Sequence, residues 1–558
     1  MKIRSKLILL SALLLGHLPI SRAQNSTRPN FIFVLTDDQP YGYMGCTGNT
    51  LIKTPHLDRL ANEGVLFTNA HVTSAICTPS RASILLSQFE RKHGVNFNSG
   101  TSMAEEAWQD SYPMIFRSEG YFTGWIGKNH VPVGEGGYSS GLMDSSFDFW
   151  YAGHGHLGFY PKDRHEIFQN AGADTQIEII DEGVDYFLTN GQKVDGAMQF
   201  LKGRPTDKPF MLSVCFNLPH SAGTSSMKMR ETDDDLYKSS YRDQEIPLPD
   251  HYIARKDIQE PKLPAGLLRA SDRQAGYDYV DNPEDEKETY IRQLQAVTGI
   301  DRFVGHLREK LEQEGLADNT IIVFTSDHGL FMGQYGLGGK ALCYEVTTHV
   351  PMIWYDPALS ADQAGQASEA LVQTIDLAPT MLERAGIEVP ASYQGKSLKP
   401  LLQGASSTRE YLFTENLWST QFGNPRCESV QDQEWKYIRY YENSTLPASA
   451  KIEAAKAFGL PVNSLLYTVH DHDMVQYRYF AESYLRYEQP VYEELFHLAE
   501  DPQETSNLVD DPQAKAVLER LRKEWELQIR QAAGTEKPKV LRYTYEGEIE
   551  QGRNISSK

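Results

Sequence analysis

The sequence has few cysteines and too little positive charge to balance its acidic residues. Five cysteines in 558 residues are too few and too scattered for a disulfide framework, and their pairing is not readable from the sequence. With 54 basic against 75 acidic residues, the formal net charge is −21, so nucleic acid is not an expected partner. Any site for an anion would need a local cluster of Lys, Arg, His or metal.

Long hydrophobic runs are also missing, apart from one near the amino terminus. Basic residues precede the apolar run 7–15, and Ser21-Arg22-Ala23 resembles a signal-peptidase site. The run is shorter than the ~20 apolar residues that a membrane span needs. We therefore predict a signal peptide over residues 1–23, a mature chain that is periplasmic or secreted, and no integral membrane association. Removing this segment takes away four basic and no acidic residues, which changes the net charge from −21 to −25.

Four short apolar runs are each followed by side chains that can act in catalysis or metal binding. The runs 30–36, 121–126, 208–218 and 320–325 are typical of strands buried on both faces of a parallel sheet. The residues that follow them are Asp37-Asp38, Lys128 with His130, His220, and Asp327-His328. Taken singly, each is more simply a turn or hydrogen-bonding residue. Because the carboxyl ends of parallel strands lie at one edge of a sheet, together they indicate a site at that edge.

The segment Cys77-Thr78-Pro79-Ser80-Arg81 has the pattern of a helix start. Thr78 can cap the helix, and Pro79 suits the first helical position. Cys77 would then lie just before the positive helix end, where a thiolate or a bound anion is stabilised. A buried structural cysteine is the alternative. A fixed Cys-x-Pro-Ser-Arg arises by chance about once per thousand sequences of this length, which favours a functional role.

The chain divides into two predicted domains after the signal peptide. Buried strands that alternate with helical segments predict an α/β domain over residues 24–430. Short strands and a terminal helix predict a small α+β domain over residues 431–558. The polar stretch 221–288 predicts a loop-rich excursion over the sheet edge. Residues 138–165 are rich in aromatic and His residues and suit either a sugar-stacking surface or a satellite core.

These motifs together resemble type I sulfatases, the formylglycine-dependent branch of the alkaline-phosphatase-like superfamily. The resemblance rests on the segments 30–38, 54–64, 77–81, 127–130, 326–329 and 494–508, with His220 and Lys340. It implies an alkaline-phosphatase-like α/β/α sandwich with a large mixed, mostly parallel sheet, plus a C-terminal α+β domain with an antiparallel sheet. It also implies that a maturation enzyme oxidises Cys77 to formylglycine (3-oxoalanine).

The resemblance assigns a catalytic role to six residues. Cys77 matches the formylglycine position, and Arg81 matches the residue that holds its hydrate. Lys128 and His130 match the pair beside the hydrate, with His130 as the base for sulfate release. His220 matches the general acid for the departing alcohol, and Lys340 matches a lysine on the sulfate oxygens. In this chemistry one hydroxyl of the hydrated aldehyde attacks sulfur, and deprotonation of the other expels sulfate.

The resemblance also implies one divalent cation, most often calcium. Its ligands match Asp37, Asp38, Asp327, His328 and the residue made from Cys77. His328 stands where the family commonly has Asn, and imidazole is a poorer partner for calcium than an oxygen ligand. This departure leaves the identity of the metal open.

The expected function is hydrolysis of a sulfate ester on a carbohydrate. One alternative is a phosphodiesterase or phosphonate monoester hydrolase of the same superfamily, and another is an inactive, calcium-bound glycan-binding relative. Retention of Lys128, His130, His220 and Lys340 argues against the second alternative, because a binding protein needs no general acid.

Overall fold

The computed structural model of the protein describes most of the chain. The described residues are 28–542 apart from 97–100, 154–156, 164–167, 170, 182–185, 188–192, 195, 224–226, 265–266, 268–276, 418–423, 443–445, 458–461, 463–468 and 536–539. The predicted signal peptide, residues 1–23, lies outside them. Within the described part, no helix combines the length and the apolar character that a membrane crossing requires.

The main sheet has eight strands. In chain order they are β1 (Asn30–Asp37), β2 (Val65–Phe67), β3 (Phe122–Lys128), β4 (Phe149–Gly153), β5 (Phe210–Pro219), β6 (Thr320–Ser326), β7 (Met352–Tyr355) and β8 (Gln366–Ser368). Their spatial order is β8-β2-β7-β6-β1-β5-β3-β4. Strand β7 runs antiparallel to β6 and β2, and the other neighbours are parallel. The predicted mixed, mostly parallel sheet is confirmed.

Helices cover both faces of this sheet. The longer ones are α1 (Pro55–Glu63), α2 (Cys77–Leu86), α3 (Tyr112–Ser118), α4 (Gly196–Gly203), α5 (Pro283–Gln313) and α6 (Leu377–Arg384). Ile32 of β1 packs in one core with α1, α4 and α5, whereas Phe33 packs on the other face with α2, α3 and α6. Every residue of β1 is buried, which agrees with the unbroken apolar run 31–35 at its centre.

Shorter elements connect these layers. The short helices are Glu90–His93, Glu105–Gln109, Leu142–Ser145, Gln176–Asp181, Asp235–Lys238, Glu345–Thr348 and Lys399–Leu402. Two-stranded pairs join Ala70–His71 to Val372–Gln373, Phe331–Met332 to Gly338–Gly339, and Thr101–Met103 to Val540–Arg542. Tyr151 and Tyr160 of the aromatic segment 138–165 lie in the main hydrophobic core. These two residues are therefore core residues and do not form a sugar-stacking surface.

A four-stranded antiparallel sheet, called here the C-terminal sheet, follows the main sheet in the chain. Its strands are β9 (Leu412–Asn416), β10 (Arg426–Gln431), β11 (Trp435–Tyr441) and β12 (Tyr492–His497), with helices α7 (Ala448–Ala457), α8 (Val469–Ala481) and α9 (Lys515–Ala533). Each strand pairs with the next in the chain, and α9 packs on the sheet through Leu521 and Trp525. The sheet begins at Leu412, and the domain boundary at residue 431 stays a prediction.

Strands β9 and β10 were not expected because their sequences are polar. Their acidic residues Glu415 and Glu428 are buried, and both bind the guanidinium of Arg91, which lies in the short helix Glu90–His93, far earlier in the chain. Nε of Arg91 donates to Glu415 at 2.7 Å. This long-range pairing allows a charged segment to form a buried strand, and a local sequence pattern cannot reveal it.

Glu286 of α5 is a buried carboxyl group with an unusual environment. It is 0% exposed, and neither carboxylate oxygen has a hydrogen-bond partner among the described residues. Burial raises the pKa of Glu286 to about 8. A carboxyl group whose folded-state pKa is raised contributes stability at low pH and loses it as the pH rises towards that pKa.

We expect Glu286→Gln to stabilise the protein at high pH. At pH 9 the free energy of unfolding should rise by on the order of 1–3 kcal/mol, because the variant no longer buries an unpaired charge. The gain should vanish towards pH 4.5, where the carboxyl is neutral. Urea unfolding of both proteins at the two pH values measures this difference. Glu284→Gln, at an exposed position of the same helix, is the control and should show no such gain at pH 9.

Candidate active site

The register of the central strands brings the expected site residues to one edge of the main sheet. Thr36 of β1 pairs with Ser326 of β6, and Asp37 pairs with Pro219 of β5. The next residues along the chain are therefore neighbours in space. The backbone N–H of Asp38 donates to Asp327 Oδ1 at 3.2 Å, which ties the ends of two strands together. This edge is the carboxyl end of the parallel strands, where ligands bind in open α/β sheets.

Helix α2 begins at Cys77, two residues earlier than the sequence suggested. Ile76 is the N-cap residue, and no side chain caps the helix. Thr78 was expected to be the cap, but its hydroxyl donates to the carbonyl of His130 at 3.1 Å. Ser80 likewise donates to the carbonyl of Asp327 at 2.5 Å. The side chains of Thr78 and Ser80 thus bind the loops that follow β3 and β6. The sequence did not reveal this role.

The Cys77 thiol is surrounded by charged groups. Its Sγ lies 3.0 Å from Lys340 Nζ, 3.2 Å from His328 Nε2 and 3.4 Å from Asp37 Oδ1. Burial and the nearby Asp37 carboxylate raise the pKa of Cys77 to about 12. This shift opposes the stabilisation of a thiolate that the helix end alone would give, because burial and Asp37 act against the helix end and the two lysines.

Cationic side chains neutralise the buried carboxylates. Lys128 Nζ donates to Asp37 Oδ2 at 2.5 Å, and Arg81 Nε donates to Asp327 Oδ2 at 2.8 Å. Burial alone would raise the pKa of Asp37, but the charges of Lys128, His220 and Arg81 hold it well below its usual value. The Asp37 carboxyl is therefore ionised at neutral pH, and it can act as an anionic ligand.

Asp38 holds the other half of the site. Its Oδ1 accepts a hydrogen bond from Lys340 Nζ at 2.8 Å, and its Oδ2 contacts His220 Nδ1. Lys340 Nζ also lies 3.4 Å from His220 Nδ1. Burial lowers the pKa of Lys340, but Asp38 and Cys77 outweigh this effect and raise it well above its usual value. Lys340 is therefore a fixed positive charge beside Cys77.

His130 reaches the site from the loop after β3. It adopts a positive φ of 56°, its ring stacks on Tyr138 at 6.3 Å, and it is 4% exposed. Burial and the charges of Lys128 and Arg81 hold the pKa of His130 well below its usual value. The imidazole is therefore neutral and retains one nitrogen lone pair that can accept a proton. Tyr138 was not singled out among the expected catalytic residues.

The arrangement fits a divalent cation. One donor atom each of Asp37, Cys77, Asp327 and His328 lie within 4.8 Å of one another, and all four residues are buried. His328 Nδ1 faces the carbonyl of Gly329 at 3.0 Å, and a carbonyl only accepts, so Nδ1 carries the proton. The lone pair of Nε2 then points into the cluster. Carboxylates with one such imidazole form a donor set that suits several divalent ions.

Two other features are less suited to chemistry. A cavity of about 530 Å³ is lined among others by Tyr41, Tyr43 and Tyr290, and none of the expected catalytic or metal-binding residues lines it. Beside it, His71 Nε2 lies 3.0 Å from Glu345, but Lys436 already binds that carboxylate at 2.6 Å. These contacts form an ion-pair network, so the cluster around Cys77 is the candidate active site.

The sequence was compared with models of protein families. The model described as Sulfatase matches residues 29–387, and one described as N-sulphoglucosamine sulphohydrolase, C-terminal, matches residues 333–448. Among curated proteins, the N-acetylglucosamine-6-O-sulfatase of Bacteroides thetaiotaomicron is 28% identical over 490 residues, covering 78% of this chain and 83% of that protein.

Solved structures share the fold at low sequence identity. An enzyme in complex with its substrate D-glucosamine-2-N,6-O-disulfate has a TM-score of 0.60 at 23% identity, covering 92% of this chain and 99% of the other. The phosphonate monoester hydrolase of Agrobacterium radiobacter has a TM-score of 0.62 at 20% identity, covering 91% and 97%. The matched family region spans most of the chain and contains every residue of the site around Cys77. The chain therefore belongs to the formylglycine-dependent sulfatases of the alkaline-phosphatase-like superfamily and is a sulfuric ester hydrolase.

Proposed function

We propose that this protein is an exported sulfatase that removes sulfate from a carbohydrate through a formylglycine made from Cys77. The observation that carries the proposal is the position of Lys340, whose Nζ lies 3.0 Å from Cys77 Sγ and 2.8 Å from Asp38 Oδ1. Lys128 and Arg81 are buried in the same cluster. Fixed cations around one atom suit the transfer of an anionic sulfuryl group, because such charges stabilise the transition state most.

Modification of Cys77 would replace its sulfur with oxygen at the centre of this cluster. The raised pKa of Cys77 makes the thiol a poor nucleophile, which favours the role of a precursor. Formylglycine supplies, as a hydrated aldehyde, an oxygen nucleophile from which sulfate is also released. The maturation enzyme that performs the oxidation is a second proposed partner, alongside the sulfated carbohydrate.

The metal ligands would be Asp37, Asp38, Asp327 and His328, together with residue 77. A divalent cation bound there supplies positive charge to the sulfate oxygens and acidifies a bound hydroxyl. Calcium is the proposed ion, and the imidazole of His328 leaves room for another divalent metal. Arg81 would orient the hydrate, since its guanidinium is fixed by a 2.8 Å bond to Asp327.

Two histidines would move protons on opposite sides of the reaction. His130 is proposed as the base that drives sulfate release, because its buried imidazole is neutral and beside Lys128. His220 is proposed as the acid for the departing alcohol. Its Nδ1 contacts the Asp38 carboxylate, and in the proposed role its ring would pass a proton to the leaving oxygen.

The proposed substrate class is a glycan that carries sulfated glucosamine. This proposal is supported by the relative named as an N-acetylglucosamine-6-O-sulfatase and by the structure solved with a sulfated glucosamine. The net charge of −21 would repel a polyanion at long range, so recognition must rely on the local cations at the site. A phosphonate monoester hydrolase remains the second candidate, because one such enzyme shares the fold with a TM-score of 0.62.

Conversion of Cys77 is tested by mass spectrometry. In protein produced in a host with a maturation enzyme, the peptide that contains Cys77 should be lighter by about 18 Da than its unmodified sequence. Cys77→Ala should lack both the shift and sulfatase activity. Recovery of only the unmodified peptide from such a host, together with full activity, would contradict the proposed chemistry.

The role of His220 is tested with two kinds of leaving group. His220→Ala should lower kcat/KM on a sugar 6-sulfate by about 10²- to 10³-fold, because an alkoxide leaves poorly without a proton. Turnover of an activated aryl sulfate should fall less than tenfold. His251→Ala, at an exposed histidine that stacks on Tyr335, is the control and should retain both activities. Equal losses on both substrates would remove the acid role from His220.

Parallel assays separate the two candidate reactions. We expect kcat/KM for an aryl sulfate, and for a panel of sulfated glucosamines, to exceed that for the matching phosphate diester and phosphonate monoester by at least 10³-fold. Such a ratio corresponds to about 4 kcal/mol of transition-state discrimination. The opposite ranking would assign the protein to the phosphonate or phosphodiester reaction.

A further inference from the structure

The side chain of Asn424 holds the backbone that carries Lys340. Its Nδ2 donates to the carbonyl of Lys340 and, at 3.2 Å, to the carbonyl of Ala341. An amide –NH₂ has two hydrogens, so it can bond both carbonyls at once. Asn424 is 2% exposed and lies two residues before strand β10 of the C-terminal sheet. The C-terminal sheet thus reaches the active site through this side chain.

The backbone at this point has a conformation that needs support. Ala341 has a φ of +70°, in the left-handed region that residues with a Cβ rarely adopt. Its N–H donates to the carbonyl of Ala75 at 3.0 Å, two residues before Cys77. Asn424 holds the same turn from the other side. A strained residue persists only where its surroundings over-determine it, and such residues concentrate at functional sites.

We propose that Asn424 is a positioning residue that fixes the turn at Lys340–Ala341 and thereby aims the Lys340 ammonium group at the sulfate. This inference rests on the role proposed above for Lys340. The ammonium ends a four-carbon side chain with many rotamers, so its place 3.0 Å from Cys77 Sγ depends on where the backbone starts. A misplacement of about 1 Å at a reacting centre can cost 10²-fold in rate.

The C-terminal sheet holds the opposite side of the site in the same way. Asn416 of β9 accepts a hydrogen bond from the N–H of Ala75 at 2.9 Å through its Oδ1. Thr414 donates to the carbonyl of Val72 at 3.0 Å. Asn416 therefore binds the segment at Ala75, and Asn424 binds the segment at Lys340–Ala341; the two segments meet beside Cys77. Through Asn416 and Asn424, the four-stranded sheet acts on the backbone geometry beside Cys77.

The first test compares two asparagine variants. Asn424→Ala should lower kcat on an activated aryl sulfate at least tenfold, measured well below the melting temperature of each variant. Asn507→Ala is the matched control, because Asn507 also bonds backbone groups of the C-terminal domain, at Leu495, Val509 and Glu493. The control should keep kcat within twofold of the wild type. Equal losses in both variants would overturn the proposal in favour of a general stability effect.

The second test asks whether the loss acts through the turn. Glycine adopts the left-handed region without a steric penalty. The double variant Asn424→Ala/Ala341→Gly should therefore have a kcat at least threefold higher than that of Asn424→Ala alone. The double variant should also keep the metal and formylglycine content of the single variant. A loss in Asn424→Ala that glycine does not reverse would overturn the proposed route through Ala341.

Lys340→Ala separates this inference from the proposed function. We expect it to lower kcat by about 10²- to 10³-fold, as for the removal of one donor from a charged transition state. If Lys340→Ala retains wild-type kcat, the proposed role of Lys340 fails. If it loses activity while Asn424→Ala stays within twofold of the wild type, only the positioning role of Asn424 fails.

Discussion

Three carboxylates and three cationic side chains are buried together at one edge of the main sheet, and such charges are stable in a protein interior only when they are paired. The closest pairs are Lys128 with Asp37, Lys340 with Asp38 and Arg81 with Asp327. Removing any one of them would leave an excess of the opposite charge buried in the cluster. The site is therefore a single electrostatic unit, and the charges that balance each other in the fold are the ones proposed to assist sulfuryl transfer.

The parallel sheet makes this balance possible. The strand register places the ends of β1, β5 and β6 side by side, and each strand is anchored by an apolar run with no exposed face. The apolar strands contribute the stability, and the charged residues lie beyond their ends. Ser80 and Thr78 of helix α2 then fasten the following loops by hydrogen bonds to backbone carbonyls. The Cys-x-Pro-Ser-Arg segment thus contains the proposed reactive residue and also holds the neighbouring loops by hydrogen bonds.

The C-terminal sheet extends the same network. Its buried Glu415 and Glu428 pair with Arg91 of the short helix Glu90–His93, while Asn416 and Asn424 contact the segments on either side of Cys77. These contacts cross between the two parts of the chain and involve polar strands. Their residues are far apart in sequence, so no local periodicity or motif could have predicted them.

The sequence by itself determined the central strands, the α/β architecture and the residues that follow the strand ends, because an apolar run without interruption can only be buried on both faces. The family motif predicts Cys77 as the key residue. Only the tertiary structure decided the contacts that raise the pKa of its thiol, the start of α2 at Cys77 and the polar strands β9 and β10. Each of these depends on burial and on charges from distant segments, such as Asp37 beside Cys77 and Arg91 beside Glu415. A chain reveals its neighbours along the sequence, whereas the electrostatics of a buried group are set by its neighbours in space.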